Sequence, residues 1–357
     1  MSDAPRKPIA PLASVHTDSF TEILSRLGAS LLVSTYQTGK VIVARVENGV
    51  INTHFRAFET PMGMACDNGR LAVGARNRVW DFRDQPDVAA KLDPPGKHDA
   101  VFLPRSCHFT GNIHIHEIAW GGADLWIVNT RFSCLCTIDR EHSFVPRWRP
   151  RFVSGLSPED RCHLNGMGMR EGRPRYVTAL GKTDGKGGWR ANKRDGGCLI
   201  DVNSGEIFAE GLSMPHSPRW HDGRLWLLES GLGQVDVVDM RNGKRDVVAT
   251  LPGFTRGLDF AGPFAFIGLS QVRETATFGG LPITEGDKER NCGVWVVDVR
   301  NGQTIAFLKF KGDVQEIFAV QVLQGVRFPE IVTDDENALA HSFVLPDESL
   351  GDVRFAE

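Results

Sequence analysis

The chain has 357 residues, with 41 Lys and Arg against 44 Asp and Glu, a net charge of −3 and 41% hydrophobic residues. The near balance of charge leaves none of the basic footprint of a nucleic-acid binder, and no apolar run reaches the roughly 20 residues that a membrane span needs. The length allows one large domain or two ordinary ones.

The chain opens on "MSDAPRKPIAPLAS", polar and proline-rich, and residues 1–18 read as a flexible tail. This opening lacks the apolar middle of a secretory signal, so a cytoplasmic location is expected. "SFTEILSRLG" has helical spacing and predicts a short helix ahead of the first strand. The strands "SLLVSTY", "KVIVARV" and "INTHFRAF" follow.

From Met62 onward one plan recurs. It reads "MGMACDNGRLAVGA" from Met62, "HEIAWGGADLWIVNT" from His116, "NGMGMREGRPRYVTAL" from Asn165, "HSPRWHDGRLWLLES" from His216, "TRGLDFAGPFAFIGLS" from Thr255 and "QEIFAVQVLQGVRFPEIV" from Gln315. Each copy has a small or polar opening, a short alternating strand, a turn and a second strand. The turns "DNGR", "GGAD", "EGRP", "HDGR" and "AGP" carry hairpin chemistry. Further strand pairs follow most copies, clearest in "GQVDVVDMRNGKRDVVATLP" and "CGVWVVDVRNGQTIAFLKF". Four antiparallel strands at a period of roughly 40 to 60 residues mark a β-propeller.

The expected fold is therefore all-β, a six-bladed β-propeller over residues 19–345 with a tail at 346–357. The N-terminal strands would pair with the strand after Gln315 and close the ring, which removes an open sheet edge. "FPEIV" and "HSFVLP" near the end leave seven blades as the alternative.

In a propeller the openings of the innermost strands and the connections between strands two and three share one face. That topology gathers His116 and Glu117, His163 and Asn165, His216, Arg256, and Gln315 with Glu316 around the axis. The connections add Arg131, Trp189 and Arg190 in "GKTDGKGGWRANKRDGG", Glu229, and the long "SQVRETATFGGLPITEGDKERN". Three histidines at strand openings suggest a functional cluster, with His114 ranked below His116. His54, His98, His142 and His341 read as solvent-facing, and His221 lies in a hairpin turn on the opposite face. Arg256 opens an apolar strand and needs a partner. That partner is either an inner carboxylate (Glu117, Glu229 or Glu316) or an anionic group on a substrate, for which a guanidinium fork is suited. Arg161 and Arg219 extend the same positive field. Trp189 and Arg190 in their Gly-rich loop read as a lid.

The seven cysteines are scattered, and no paired C-x-x-C sets exist. A finger-type zinc site is not expected; mostly buried, reduced thiols are.

The Asn-Gly opening at Asn165 and "MPHSPRWHDGRLWLLES" resemble the gluconolactonase and strictosidine-synthase-like six-bladed propellers, which hold a divalent metal on the axis. That resemblance implies Asn165 in the place of the asparagine ligand, His216 replacing an aspartate, and Glu316 as counterpart of the ring glutamate. "HEIAW", "NTRFSCL", "EDRCHLNGMG", "PHSPRW", "GFTRGLDF" and "QEIFAVQVL" together are closer to a bacterial propeller family of unknown function. A nitrogen-rich shell of His116, His163, His216 and Asn165 suits iron, copper, zinc or manganese better than calcium, and leans towards the axial histidine clusters of the carotenoid oxygenase propellers.

The expected function is a metal-dependent enzyme acting on a small-molecule or peptide substrate with an anionic group, oxidoreductase ahead of hydrolase. Glu117 or Glu316 would serve as base and Arg256, Arg190, Arg131, Arg219 and Trp189 would hold the substrate. Cys134 or Cys162 adjoins the same face as a further ligand. A propeller platform for a peptide or protein is the alternative, and a metal-free Cys–His enzyme a third reading.

Overall fold

A computed structural model describes residues 10–272, 279–286, 289–340 and 342–346. The described strands form six sheets around a central axis, a six-bladed β-propeller. From the axis outward, blade 1 holds Ala319–Gln324, Ala29–Thr35, Lys40–Glu47 and Val50–Ala57. Blade 2 holds Met64–Asp67, Arg70–Gly74, Arg78–Asp84 and Ala100–Phe109. Blade 3 holds Ile115–Gly121, Asp124–Asn129, Cys134–Thr137 and Val145–Trp148. Blade 4 holds Leu164–Arg170, Arg173–Ala179, Gly197–Asp201 and Ile207–Leu212. Blade 5 holds Pro215–His221, Arg224–Glu229, Gln234–Val238 and Arg245–Thr250. Blade 6 holds Phe254–Ala261, Phe264–Ser270, Gly293–Asp298 and Gln303–Phe310.

The alternation of side chains along a strand explains why the blades stack. Leu31 and Val33 point to one side of blade 1 and pack with Phe266, Val294 and Leu308 of blade 6. Leu32 points to the other and packs with Leu71, Val73 and Phe82 of blade 2. Every neighbouring pair of blades encloses such a core. Hydroxyls near the ends of second strands staple one blade to the next. Ser34 donates to Met62 O at 2.6 Å, Thr130 to Leu164 O at 2.5 Å and Ser270 to Ile317 O at 3.0 Å. Each contributes about 1 kcal/mol.

The ring closes as the sequence predicts, with Ala319–Gln324 antiparallel to Ala29–Thr35. The predicted helix, Asp18–Leu27, ends on Gly28 in the left-handed region (φ 57°) and buries Phe20, Ile23 and Leu24 at this closure. Ser14–His16, within the stretch read as a tail, pairs with the outer edge of blade 6. "FPEIV" starts no seventh blade. Its Pro329–Ile331 lies parallel to Ala100–Phe102 as a fifth strand on blade 2. Residues 342–346 of "HSFVLP" carry no strand, and His341 lies outside the described residues.

That added strand brings a buried carboxylate to a cluster of basic groups. Glu330 meets Arg56 at 2.9 Å, His54 at 3.1 Å and Arg45 at 3.7 Å. His98 is buried beside them, 4.0 Å from the same carboxylate, so the solvent-facing expectation for His98 fails. His142 is exposed and bonds Asp139. His221 stacks on Phe260 at 4.2 Å.

Candidate functional site

The inner strands of blades 3 to 6 each carry a register shift near their start, between Ile127 and Asn129 opposite Ile115, and at Leu164/Gly166, His216/Arg219 and Thr255/Leu258. Such irregularities re-aim side chains at sheet ends. Matching the pairings blade by blade aligns His116, Asn165, His216 and Arg256, and two residues earlier His114, His163, Met214 and Phe254. Alternate residues project the same way, so these sets form two tiers along the channel, one near the mouth and one deeper. His163 therefore belongs with His114, not with His116 and His216, and the histidines do not share one blade position as the sequence suggested. The true counterpart of His116 in blade 4 is Asn165.

Both tiers line one cavity of about 370 Å³ together with Tyr36, Met62, Asp160, Leu180, Trp189, Arg190 and Phe318; Asn165 alone is left out of the lining. The Asn165 side chain is buried, and its Oδ1 accepts from Thr178 Oγ1 at 2.5 Å.

The mouth-side residues His114, His163 and Met214 have φ of 53°, 49° and 50°. This left-handed turn presents the carbonyls of His114 and Met214 to the imidazoles two residues on. His116 Nδ1 lies 3.1 Å from His114 O, and His216 Nδ1 lies 2.8 Å from Met214 O and 2.9 Å from Ser230 Oγ. Burial holds both imidazoles well below the usual histidine range, with the charges of His163 and Arg256 next for His116 and of Arg256 for His216. His163 Nδ1 is 2.9 Å and 3.0 Å from the two oxygens of Asp160. Asp160 also accepts Trp189 Nε1–H at 3.0 Å and lies 3.5 Å from Arg190. The Trp189 ring sits 4.4 Å from the His163 ring, and His163 meets His116 edge-on at 4.7 Å.

Trp189 is no lid. It is buried among Leu180, Met214, Phe254, Val272, Leu281 and Ile283, and forms the cavity wall. Arg190 is half exposed at the rim, over the Trp189 ring at 4.4 Å. Arg256 reaches in from the deeper tier, its guanidinium 3.7 Å above the Phe318 ring. Burial lowers its pKa, while Tyr36, Glu316 and Glu117 oppose that. Among the described residues it makes no ion pair within 4.0 Å and no hydrogen bond. Glu316 lies outside the cavity lining; burial raises the pKa of the Tyr36 phenol, the Arg256 charge opposes that, and the neighbouring Glu316 carboxylate adds to it.

Glu117 and Arg219 do not join this site. They pair with each other, Glu117 accepts Met167 N–H at 2.9 Å, and Arg219 Nε donates to Leu258 O at 3.0 Å. Both line a second cavity, of about 310 Å³, built from the farther halves of the inner strands. Glu117 follows His116 directly, and adjacent strand residues diverge. Arg131 bonds Asn112 O at 3.3 Å outside the cavity lining. Arg161 is held by Glu159 and Asp184, both at 2.8 Å. Glu229 is buried and bonds Ser213 N–H at 2.7 Å and Arg245 at 3.0 Å.

Among the described residues no group of three or more His, Cys, Asp or Glu is arranged to hold a metal ion. Asn165, expected in such a shell, turns to Thr178 instead. Burial pushes the Cys134 and Cys162 thiols up to about 12, so neither is a thiolate near neutral pH. Asp160, Tyr36, Phe254 and Phe318 escaped the sequence reading. Asp160, three residues before His163, carried the one usable signal.

Residues 18–332 match the family described as domain of unknown function (DUF4915), and the chain belongs to it. No curated protein matches the sequence. A chain from a nidogen/laminin complex is similar in structure at TM-score 0.50 and 11% identity, over 82% of this chain and 98% of that one. A protein of unknown function from Bacteroides caccae is similar at TM-score 0.52 and 10% identity, over 83% and 99%. Selenomethionine-substituted virginiamycin B lyase from Staphylococcus aureus is similar at TM-score 0.40 and 12% identity, over 78% and 76%. At these identities the likeness to the first two is one of fold.

Proposed function

We propose that this member of the DUF4915 family is an enzyme that takes a small molecule bearing an anionic group into the axial cavity and works on it by acid–base chemistry. The observation that carries this reading is Arg256, a cation enclosed in an aromatic cavity without an ion pair among the described residues. Burying an unpaired charge is costly, and a guanidinium fork matches a carboxylate. An anion that enters and leaves the cavity accounts for both facts.

The proton-transferring group is His163. Its Nδ1–H is held by Asp160, which fixes the ring and leaves Nε2 directed away from the carboxylate. A base oriented in this way by a third group is the arrangement that acid–base catalysis requires. Asp160 is its positioning residue, and Trp189 holds both. Arg256 binds the anion and the aromatic wall excludes water, which strengthens each polar contact inside.

The test is incubation of untagged protein with a mixture of small carboxylic acids in EDTA, read by mass spectrometry. The wild type is expected to consume at least one acid, His163→Gln to leave it intact, and Arg256→Met to lose binding of it. Consumption that depends on added iron, copper, zinc or manganese would overturn this reading in favour of a metal-dependent enzyme. Binding without consumption would leave a non-catalytic platform.

A further inference from the structure

The deeper tier also says what the rest of the ligand must offer, an inference that rests on the anion-binding reading above. A backbone carbonyl can only accept a hydrogen bond. His116 Nδ1 faces His114 O and His216 Nδ1 faces Met214 O, so in each ring Nδ1 carries the proton. The other neighbour of His216, Ser230 Oγ, commits its own hydrogen to Thr255 O at 2.5 Å and is likewise an acceptor towards the ring. Burial keeps both rings neutral. Nε2 of each is therefore a lone pair without a proton.

Neither Nε2 has a hydrogen-bond partner among the described residues, and neither is among the buried side-chain atoms that lack one. Each therefore opens onto the cavity that both residues line. The Asp160 carboxylate accepts from Nδ1–H of His163, so the neutral form of this ring presents a third such nitrogen. Inside the cavity Arg256 is thus the guanidinium left to donate, because Arg190 stands at the rim against Asp160, and three imidazole nitrogens accept; His114 and the Tyr36 hydroxyl complete the polar lining. The remaining wall, from Tyr36, Met62, Phe254 and Phe318 among others, is largely apolar and aromatic.

We infer that the ligand is a hydroxylated monocarboxylate: its carboxylate pairs with Arg256 and its hydroxyl hydrogens are donated to Nε2 of His116, His216 and His163. One buried cation balances one negative charge, which disfavours a dianion. Three acceptors with fixed tautomers disfavour a plain hydrocarbon acid, because such a ligand would cover the nitrogens and leave them unsatisfied. The volume of about 370 Å³ lies at the small end of ligand pockets, roughly 300 to 1,000 Å³, and suits a compact ring or short chain whose flat faces rest on the aromatic walls.

Two pairs of acids that differ only in hydroxyl groups decide the matter: quinate against cyclohexanecarboxylate, and gluconate against hexanoate. Each is titrated calorimetrically into wild-type protein in EDTA. At least one hydroxylated acid is expected to bind at least tenfold more tightly than its deoxy counterpart. The preference is expected to shrink to less than threefold in His216→Leu and His116→Leu, while the deoxy acids bind these variants as well as or better than wild type. If either variant fails to fold, the wild-type ratios alone decide. Equal affinity within each pair, or tighter binding of the deoxy acids, overturns the hydroxyl assignment and leaves the anion site standing. Failure of all four acids to bind overturns both. Binding that appears only after a transition metal is added replaces the lone-pair assignment with a metal one.

Discussion

Glu330→Gln tests how the ring is locked at its C-terminal end. The Glu330 side chain is only 5% exposed, yet it is surrounded by Arg45, His54, Arg56 and His98. Burial pushes its carboxyl up, but the hydrogen bond from His54, the charges of Arg56 and His54, and the Ile331 amide together bring it down to about 2. The ordinary value is 4.5. A carboxyl whose folded pKa lies below its unfolded one contributes stability that is present above the unfolded value and lost as pH falls through the folded one. The window here runs from 4.5 down to about 2. At 1.36 kcal/mol per unit, the shift corresponds to about 3 kcal/mol. Glu330→Gln also leaves Arg45 and Arg56 without their anion, and breaking a buried pair from one side costs about 3–5 kcal/mol. Urea unfolding, which does not screen charge as a salt denaturant would, is measured for both proteins from neutral pH down to the acid limit of folding. The variant is expected to be less stable by about 3 kcal/mol at neutral pH, with the gap closing through the acid window. A gap below about 1 kcal/mol at neutral pH, or one that does not change with acid, would refute the reasoning.

Other expectations follow from single contacts. A Cβ on Gly166 would meet Pro218 Cδ at 2.5 Å and Ser217 N at 2.9 Å, so Gly166→Ala forces blades 4 and 5 apart. It is expected to cost about 1–3 kcal/mol, read as a lower melting temperature; an unchanged value would show that the inner strands are not so tightly seated. Asp236 is fully buried, and neither oxygen meets an N–H or hydroxyl donor. Burial first, and the Glu229 charge next, raise its pKa far above the carboxylate range. A raised folded pKa means stability lost as pH rises from the unfolded value of 3.8 through the folded one of about 7, so wild type should weaken across that window relative to Asp236→Asn, and parallel melting curves would contradict this. With its thiol at about 12, Cys162 at pH 8 holds on the order of one thiolate in ten thousand. Mass spectrometry after brief iodoacetamide treatment should find it unmodified in folded protein and modified in urea; prompt modification in the folded protein would revive the Cys–His reading.

The sequence carried the blades but not the tiers, and the difference has a physical cause. Hairpins are written locally, in the Asn-Gly and Asp-Gly turns "DNGR" and "HDGR", and the ring closure follows because the strand after Gln315 has no other partner. What a residue at a strand opening faces depends instead on backbone details of one or two residues. The left-handed turns at His114, His163 and Met214 have no glycine to announce them, and they move His163 one tier away from His116. An error of one position sends Glu117 into the other cavity, where it neutralises Arg219 rather than serving as a base. Non-local strands hide burial in the same way: nothing near His98 signals that Pro329–Ile331 will cover it. The two histidines whose register was read correctly, His116 and His216, are those whose Nδ1 is fixed by the carbonyl two residues before. In both blades the turn that sets the tier also sets the tautomer. A change that flattened φ at Met214 would therefore move the His216 ring and remove the carbonyl that accepts its proton, leaving Ser230 Oγ as the remaining acceptor. Position and hydrogen-bonding character at this site are consequences of one backbone feature, so they are lost or kept together.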